Sequence, residues 1–319
     1  MSTSIPELEV LVAAPSTSGL RTSGLRKTVM RHPAAIAGGA ILAFFILIAL
    51  LAPWIEPYGL RRNVGPVFAA PSARHWLGLD DAGVDVVSLL IAGTRSSLLI
   101  GFAAALVSTF VGGAVGVVAG YFGGVTDGIL MRFTDYFLVI PDLPLMIIVA
   151  AIWGQSVWHI ILVIGLLHWT WTARTIRAQV KSIRERTYMR RVRSLGAGHR
   201  RAIVHHLLPQ VAPLLLAVGV RAVANSIFAA AALAFLGLGD PTAISWGGMI
   251  QHAFERSAVS SGAWWAVVPP GLCIALVVVA CYLLGQAIAD ILNPRTRSLH
   301  LSARRFGVLP LTVSSRQQR

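Results

Sequence analysis

From Ala34 to Ala52 the chain runs nineteen residues without a charged or strongly polar side chain. A helix of about 20 apolar residues crosses the hydrocarbon layer of a bilayer, where backbone N–H and C=O groups must be paired within the segment. Such a run leaves few options besides a membrane-spanning helix. Five further stretches have the same character: Ser96–Gly120, Phe133–Trp153, Val157–Thr172, Val211–Leu238 and Val267–Ile288. Their apolar residues come in blocks, and only 13% of the chain is charged, about half the share in soluble domains. The expectation is an all-α polytopic membrane protein with six transmembrane helices. For the first run a cleavable leader is the alternative. Its length, and the Ser-, Thr-, Gly- and Pro-rich residues 1–33 ahead of it, favour an uncleaved span.

Charge then orients the spans. Of the 27 basic residues, four lie in the N-terminal tail (Arg21, Arg26, Lys27, Arg31), ten between Ala173 and Pro209, and six after Asp290. With six spans these three regions share one side and, with Arg132, hold 21 basic residues; the other side holds five: Arg61, Arg62, Arg74, Arg95 and Arg256. Excess Lys and Arg mark the cytoplasmic side, so both termini are expected in the cytoplasm. The formal charge of +14 is thus a topology signal. No aromatic–basic platform or reading module accompanies it, which argues against nucleic-acid binding.

The chain divides into a cytoplasmic tail (1–33), a first span with an outer loop (34–95), a core of five spans (96–292) containing a cytoplasmic loop (173–209), and a second cytoplasmic tail (293–319). In the outer loops Trp54, Trp76, Trp246, Trp264 and Trp265 read as interfacial anchors, with reception of an outside partner as the sharper reading. Asp80, Asp81 and Asp85 cluster in the first of these loops. Cys273 and Cys281, about 12 Å apart on one helix, are too far apart for a disulfide and read as small core residues.

The loop 173–209 is too long to be a simple connection. Ile176, Val180 and Ile183 recur at helical spacing, a second helix fits Thr187 to Leu195, Gly196 and Gly198 supply a stop and turn, and a third helical piece runs from His199 to Leu208 and ends at Pro209. On composition, a basic amphipathic segment resting on anionic lipid fits as well. The sequence pattern adds more: Gly196, Ile203, His206, Leu208 and Pro209 stand where the EAA loop of ATP-binding-cassette (ABC) importer permeases carries its glycine, apolar residue and H-x-L-P. HWLGLDDAGVDV (75–86), AGTRSSLLIG (92–101), AGYFGG (119–124), MRFTDYFLVIP (131–141) and AALAFLGLGDPTAISWGGMI (231–250) likewise resemble the dipeptide, oligopeptide and nickel importer permeases, so that roughly residues 30–297 are similar in order. The arrangement is similar to the second, C-type subunit of the permease pair.

The resemblance implies a type I ABC importer permease fold in the bacterial cytoplasmic membrane. It implies a second permease subunit, two ABC ATPase subunits or domains that bind ATP and Mg, an extracytoplasmic substrate-binding protein, and lipid around the spans. The chain itself is expected to hold no cofactor or metal and to catalyse nothing; it has no Walker A motif, and its two lysines, Lys27 and Lys181, follow no glycine-rich loop. The resemblance assigns ATPase coupling to Arg190, Arg191, Leu195, Gly196, Ala197, Ile203, His206 and Pro209. The sequence departs from the family at Arg190, Arg191 and Val192, which replace Glu-Ala-Ala, at Leu79 and Val84 in the outer motif, and at Ala230, where many relatives carry glutamate. Peptides are the leading cargo, with nickel or another small solute as the alternative.

Two charges inside spans complete the reading. Counted along straight helices, Arg221 and Asp142 reach about 13–15 Å depth, where an uncompensated arginine costs about 2.5–3.5 kcal/mol on insertion scales. They are expected either to pair or to line a pathway jointly with Asn225. Arg132 and Asp135, spaced i, i+3, suit a local ion pair. His159 and His168 read as packing residues, and a proton relay would need a carboxylate ladder that the sequence lacks. An ion-coupled secondary transporter would call for an internal repeat, and none is visible.

Overall fold

The computed structural model describes residues 32–55 and 63–292, and among them the regular elements are helices, with one isolated β-bridge between Leu79 and Asp85. The expectations for both tails, and Arg61 and Arg62, lie outside the described residues. Four helices are long and apolar enough to cross a membrane, and five if a bent pair counts as one. These are α1 (Pro33–Ile55), α2 (Val86–Phe122), α8 (His199–Leu238) and the C-terminal helix, with α3 (Gly124–Val139) and α4 (Asp142–Trp153) as the bent pair.

Several boundaries differ from the sequence reading. α2 begins at Val86, ten residues before Ser96, because Asp85 caps it: its Oδ2 accepts from the Ser88 N–H (2.9 Å) and hydroxyl (3.0 Å). The stretch 133–153 is not one helix. It turns by 88° between α3 and α4, where Pro141 holds Ile140 in extended backbone (φ −79°, ψ 128°). Asp142 therefore opens α4 instead of lying deep in a straight span. The stretch 157–172 is split at His168 into α5 (Val157–Leu167) and α6 (Trp169–Arg184). Pro209 does not end a helix either. α8 runs through it after widening to π-helical pitch over Ala202–Leu207, which accommodates a residue with no N–H to give. The second outer loop contains a helix of its own, α9 (Trp246–Glu255), before α10 (Val268–Leu292).

α2 is the central pillar. Its 37 residues span about 55 Å, well beyond the ~30 Å hydrocarbon layer. Gly112, Gly116 and Gly120 form a bare stripe against α6: a Cβ on Gly112 would lie 2.4 Å from the Trp169 carbonyl, one on Gly116 2.6 Å from the Ala173 carbonyl, and one on Gly120 2.7 Å from Val180. Small residues at four-residue spacing let two backbones touch, the usual way helices pack where the solvent is lipid. Leu42 and Phe45 of α1, Leu98 of α2, Ile227 of α8 and Cys281 of α10 form the main core around Trp246. Trp246 is fully buried, with its backbone N–H on Ser97 Oγ (3.2 Å), so it is no interfacial anchor; Trp54 and Trp76 are 80% and 77% exposed. Large apolar side chains such as Leu106 and Phe110 point outward, as a lipid- or partner-facing surface requires.

Candidate functional site

The loop 173–209 sits on a base built from four elements. Met189 of α7 (Thr187–Ser194), Ile176, Val180 and Ile183 of α6, Val117 and Tyr121 of α2, and Ala202, Leu207 and Val211 of α8 form one buried cluster. Burying Met189 fixes how α7 rolls, and leaves Arg190 and Arg191 exposed. Gly196 then takes φ +79° and closes α7: its N–H reaches the Arg193 carbonyl (2.9 Å) and the Ala197 N–H the Val192 carbonyl (3.3 Å). These are the paired bonds of a Schellman stop. Leu195, just before that turn, is 87% exposed, an apolar tip among arginines. Ile203 packs against the buried cluster, and His206 Nδ1 is hydrogen-bonded to the Tyr188 hydroxyl (2.5 Å), tying α7 to α8. Ala197 is half-buried and Pro209 exposed.

The basic residues of this loop divide into two sets. Arg177 makes a bidentate pair with Asp127 of α3, Lys181 joins it at 2.6 Å, and Arg174 binds Asp135 at 2.5 Å. Asp135 thus reaches across to α6, and the local pair with Arg132 is not made. Arg184 donates to the Tyr121 carbonyl (3.1 Å) at the end of α2, and the Arg193 guanidinium lies 4.9 Å over the Tyr121 ring. Arg186, Arg190, Arg191, Arg200 and Arg201 form the second set. They are exposed and make no ion pair among the described residues.

The second candidate site is a cavity of about 590 Å³ between α4, α6, α8 and α10. Asp142, Arg221 and Asn225 all line it. The ion pair does not form: Arg221 donates to Gln286 Oε1 (2.6 Å), Gln286 in turn to Asp290 (3.1 Å), and the Tyr282 hydroxyl to Asn225 Oδ1 (2.7 Å). His168, which lines the same cavity, keeps a buried Nδ1 without a hydrogen-bond partner.

The outer motif 75–86 is occupied with structure. Asp85 caps α2 and holds His75 Nδ1 at 3.0 Å, Gly78 and Gly83 take φ of +69° and +71°, and Trp265 donates to the Leu79 carbonyl at 3.1 Å. Burial pushes the Asp80 carboxyl above its ordinary range, against the backbone N–H groups of Val84 and Ala82 that hold it down. Asp240 is held below that range, first by the Thr242 hydroxyl and then by the N–H groups of Thr242, Val157 and Ala243. Cys273 and Cys281 are free, as expected of core residues.

Sequence alone did not single out Asp127, Arg177, Tyr282 or Gln286, the ion-pair role of Lys181, or the stripe at Gly112, Gly116 and Gly120. The G-x-x-x-G spacing was a readable signal. The ion pairs, some fifty residues apart in sequence, were not.

Comparison with known proteins is consistent across the chain. The family model for the binding-protein-dependent transport system inner membrane component matches residues 112–298, and that for the N-terminal TM domain of oligopeptide transport permease C matches residues 25–71. The chain is 33% identical to the dipeptide transport system permease protein of Alkalihalophilus pseudofirmus, over 85% of its own length and 89% of the relative's. It is 32% identical to the glutathione transport system permease protein of Pectobacterium atrosepticum (84% and 89%) and 32% identical to the oligopeptide transport system permease protein of Mycobacterium bovis (86% and 95%).

Proposed function

The chain belongs to the family of binding-protein-dependent transport system inner membrane components, and from that premise we propose that it is one of two permease subunits of an ABC importer for peptides. The peptide cargo follows the dipeptide, oligopeptide and glutathione systems to which its relatives belong. An extracytoplasmic binding protein delivers the peptide, and two separate ATPase subunits bind ATP and Mg and hydrolyse the nucleotide. This subunit carries no chemistry of its own.

Six crossings fit this reading: α1, α2, the end of α3 with α4, α5 with the first turns of α6, α8 and α10. α4 and α5, with 12 and 11 residues, are each shorter than the ~30 Å layer and cross only with their neighbours. The basic loop then lies in the cytoplasm with both termini.

The observation that carries the reading is the split among the loop's cations. One set is spent on Asp127, Asp135 and Tyr121, which braces the loop. The other set, with Leu195 at its tip, faces outward on that brace. Arg190 and Arg191, with Arg186, Arg200 and Arg201, meet an acidic patch on the ATPase, so this subunit docks with a charge opposite to the family's usual glutamate. Force then passes along α6. α3 buries only Asp127, Met131 and Thr134, and it is tied to α6 by the three ion pairs and by the Phe133 and Phe137 rings against Trp169. When the ATPases close and push α6, α3 follows, and the Pro141 bend carries the motion to α4 and to Asp142 in the cavity wall. This is a two-state element that nucleotide biases from below and the loaded binding protein from above.

The test is reconstitution of the two permeases, the ATPases and the binding protein in liposomes. ATP-dependent peptide uptake is expected. With Asp127→Asn, ATP hydrolysis should persist while uptake per ATP falls, and exchanging the charges (Asp127→Arg with Arg177→Asp) should recover part of the loss. Uptake per ATP unchanged in Asp127→Asn contradicts this route of transmission.

A further inference from the structure

The cavity between α4, α6, α8 and α10 holds two opposite charges that do not neutralise each other. Asp142 makes no hydrogen bond or ion pair among the described residues, and Arg221 is held by a neutral amide. Charges within membrane segments are costly and mark functional sites when they face a cavity. We propose that these two groups read the two ends of a zwitterionic peptide as it passes: the Asp142 carboxylate takes the α-ammonium group and the Arg221 guanidinium the C-terminal carboxylate. The inference rests on the peptide reading above and adds which part of the peptide this subunit recognises.

The arrangement around Arg221 supports it. Gln286 stands between Arg221 and Asp290, accepting from Arg221 and donating to Asp290. The guanidinium is thereby oriented without a carboxylate partner among the described residues. It carries five N–H donors in a planar fork suited to bidentate carboxylate binding, and only one of its hydrogen bonds goes to Gln286. Gly285 makes this pose possible, since a Cβ there would lie 2.9 Å from Arg221 Cγ; the bare backbone lets the arginine stem lie against α10.

The rest of the lining fits the middle of a peptide. The Tyr282–Asn225 pair leaves the Asn225 amide N–H groups and the Tyr282 oxygen lone pairs for backbone carbonyl and N–H groups. Trp171 and Phe228 supply apolar surface for side chains of varied shape. At about 590 Å³ the cavity lies within the range of small-ligand sites, about 300–1,000 Å³.

The test uses the assembled transporter, both permeases with both ATPases in nanodiscs, without the binding protein. Equilibrium binding of labelled alanyl-phenylalanine is measured in competition with its N-acetyl and its C-amide forms. The wild type should prefer the zwitterion over each capped form by about 10-fold, the worth of one charge-assisted hydrogen bond. Asp142→Asn should abolish the preference against the N-acetyl form alone, and Arg221→Gln the preference against the amide alone. Asp142→Glu and Arg221→Lys, which keep the charge and serve if the neutral variants fail to assemble, should retain the ranking. A wild type that binds all three forms equally, or neutral variants that keep the wild-type ranking, overturns the proposal and leaves the charges to contacts with the second permease. Peptide uptake by the complete system is measured alongside. Uptake without any ranking overturns this inference alone, and no peptide uptake at all overturns the peptide reading and this inference with it.

Discussion

The outer motif 75–86 and the cytoplasmic loop 173–209 look alike as sequence: both are polar, glycine-punctuated and set between apolar spans. Their residues are put to opposite uses. In the outer motif the polar groups turn inward. Asp85 is 1% exposed and caps α2, His75 lies against it, and Gly78 and Gly83 make room for turns. In the loop, the residues at the corresponding turn point away from the protein, with Leu195 87% exposed and Arg190 and Arg191 beside it. A motif built to hold the fold and a motif built to be touched are told apart by burial, which residue types alone do not disclose. Each region also contains the other's element on a small scale, since the loop's exposed tip stands on the buried cluster around Met189.

Substitutions should break this contrast in a definite order. The largest effect is expected at the loop's foundation. Gly116→Leu drives a side chain into the Ala173 carbonyl and should cost about 3 kcal/mol, seen as loss of assembled complex on size exclusion. Asp85→Ala comes next. It removes the helix cap and the Asp85–His75 contact, for about 2 kcal/mol of stability, while transport per assembled complex stays near wild type. Arg190→Glu with Arg191→Glu is the converse. Thermal stability should stay within about 0.5 kcal/mol of wild type, and transport-coupled ATP hydrolysis in proteoliposomes should fall about 10-fold, equivalent to 1.4 kcal/mol. If that variant instead lost stability and kept its coupling, the loop would be a structural motif like the outer one.

The smallest effect separates two outer carboxylates by the sign of their pH dependence. Asp240 is held below the ordinary carboxylate range, so its contribution is full above that range and is lost as pH falls through its depressed value. Asp80 is raised by burial, so its contribution is present below the ordinary range and lost as pH rises through its raised value. In thermal unfolding between about pH 3 and 6, spanning the ordinary carboxylate values, Asp240→Asn should reduce the loss of stability on acidification. Asp80→Asn should reduce a loss on the alkaline side of the same window.

Much of this contrast was legible in the sequence where one local pattern decides the outcome. Nineteen apolar residues before Pro53 can only be a helix in lipid, and Gly196 after a basic run announces a helix stop. The failures came where a distant residue decides. Trp246 reads as an anchor because tryptophan in an outer loop usually is one, yet Gly93 leaves space for its ring and Ser97 takes its N–H. Asp135 reads as a partner for Arg132 until α6 brings Arg174 to it. Arg221 and Asp142 share a cavity, but Gln286 on α10 has the geometry for the arginine. Phe133–Trp153 reads as one span because it is apolar throughout; Pro141 disfavours helix at Ile140, although nothing local sets the angle at 88°.

The exposed tip of the loop should touch the ATPase, and the outer motif should not. Cys273 is half-buried and Cys281 buried, so single cysteines placed at Leu195 or Trp76 offer far more accessible thiols. In the assembled importer, Leu195→Cys should crosslink to a cysteine on the ATPase surface with a short bifunctional reagent, with a yield that changes when ATP is bound. Trp76→Cys should give no such product. Crosslinking absent at Leu195 in every nucleotide state, or equal at both positions, would contradict the account.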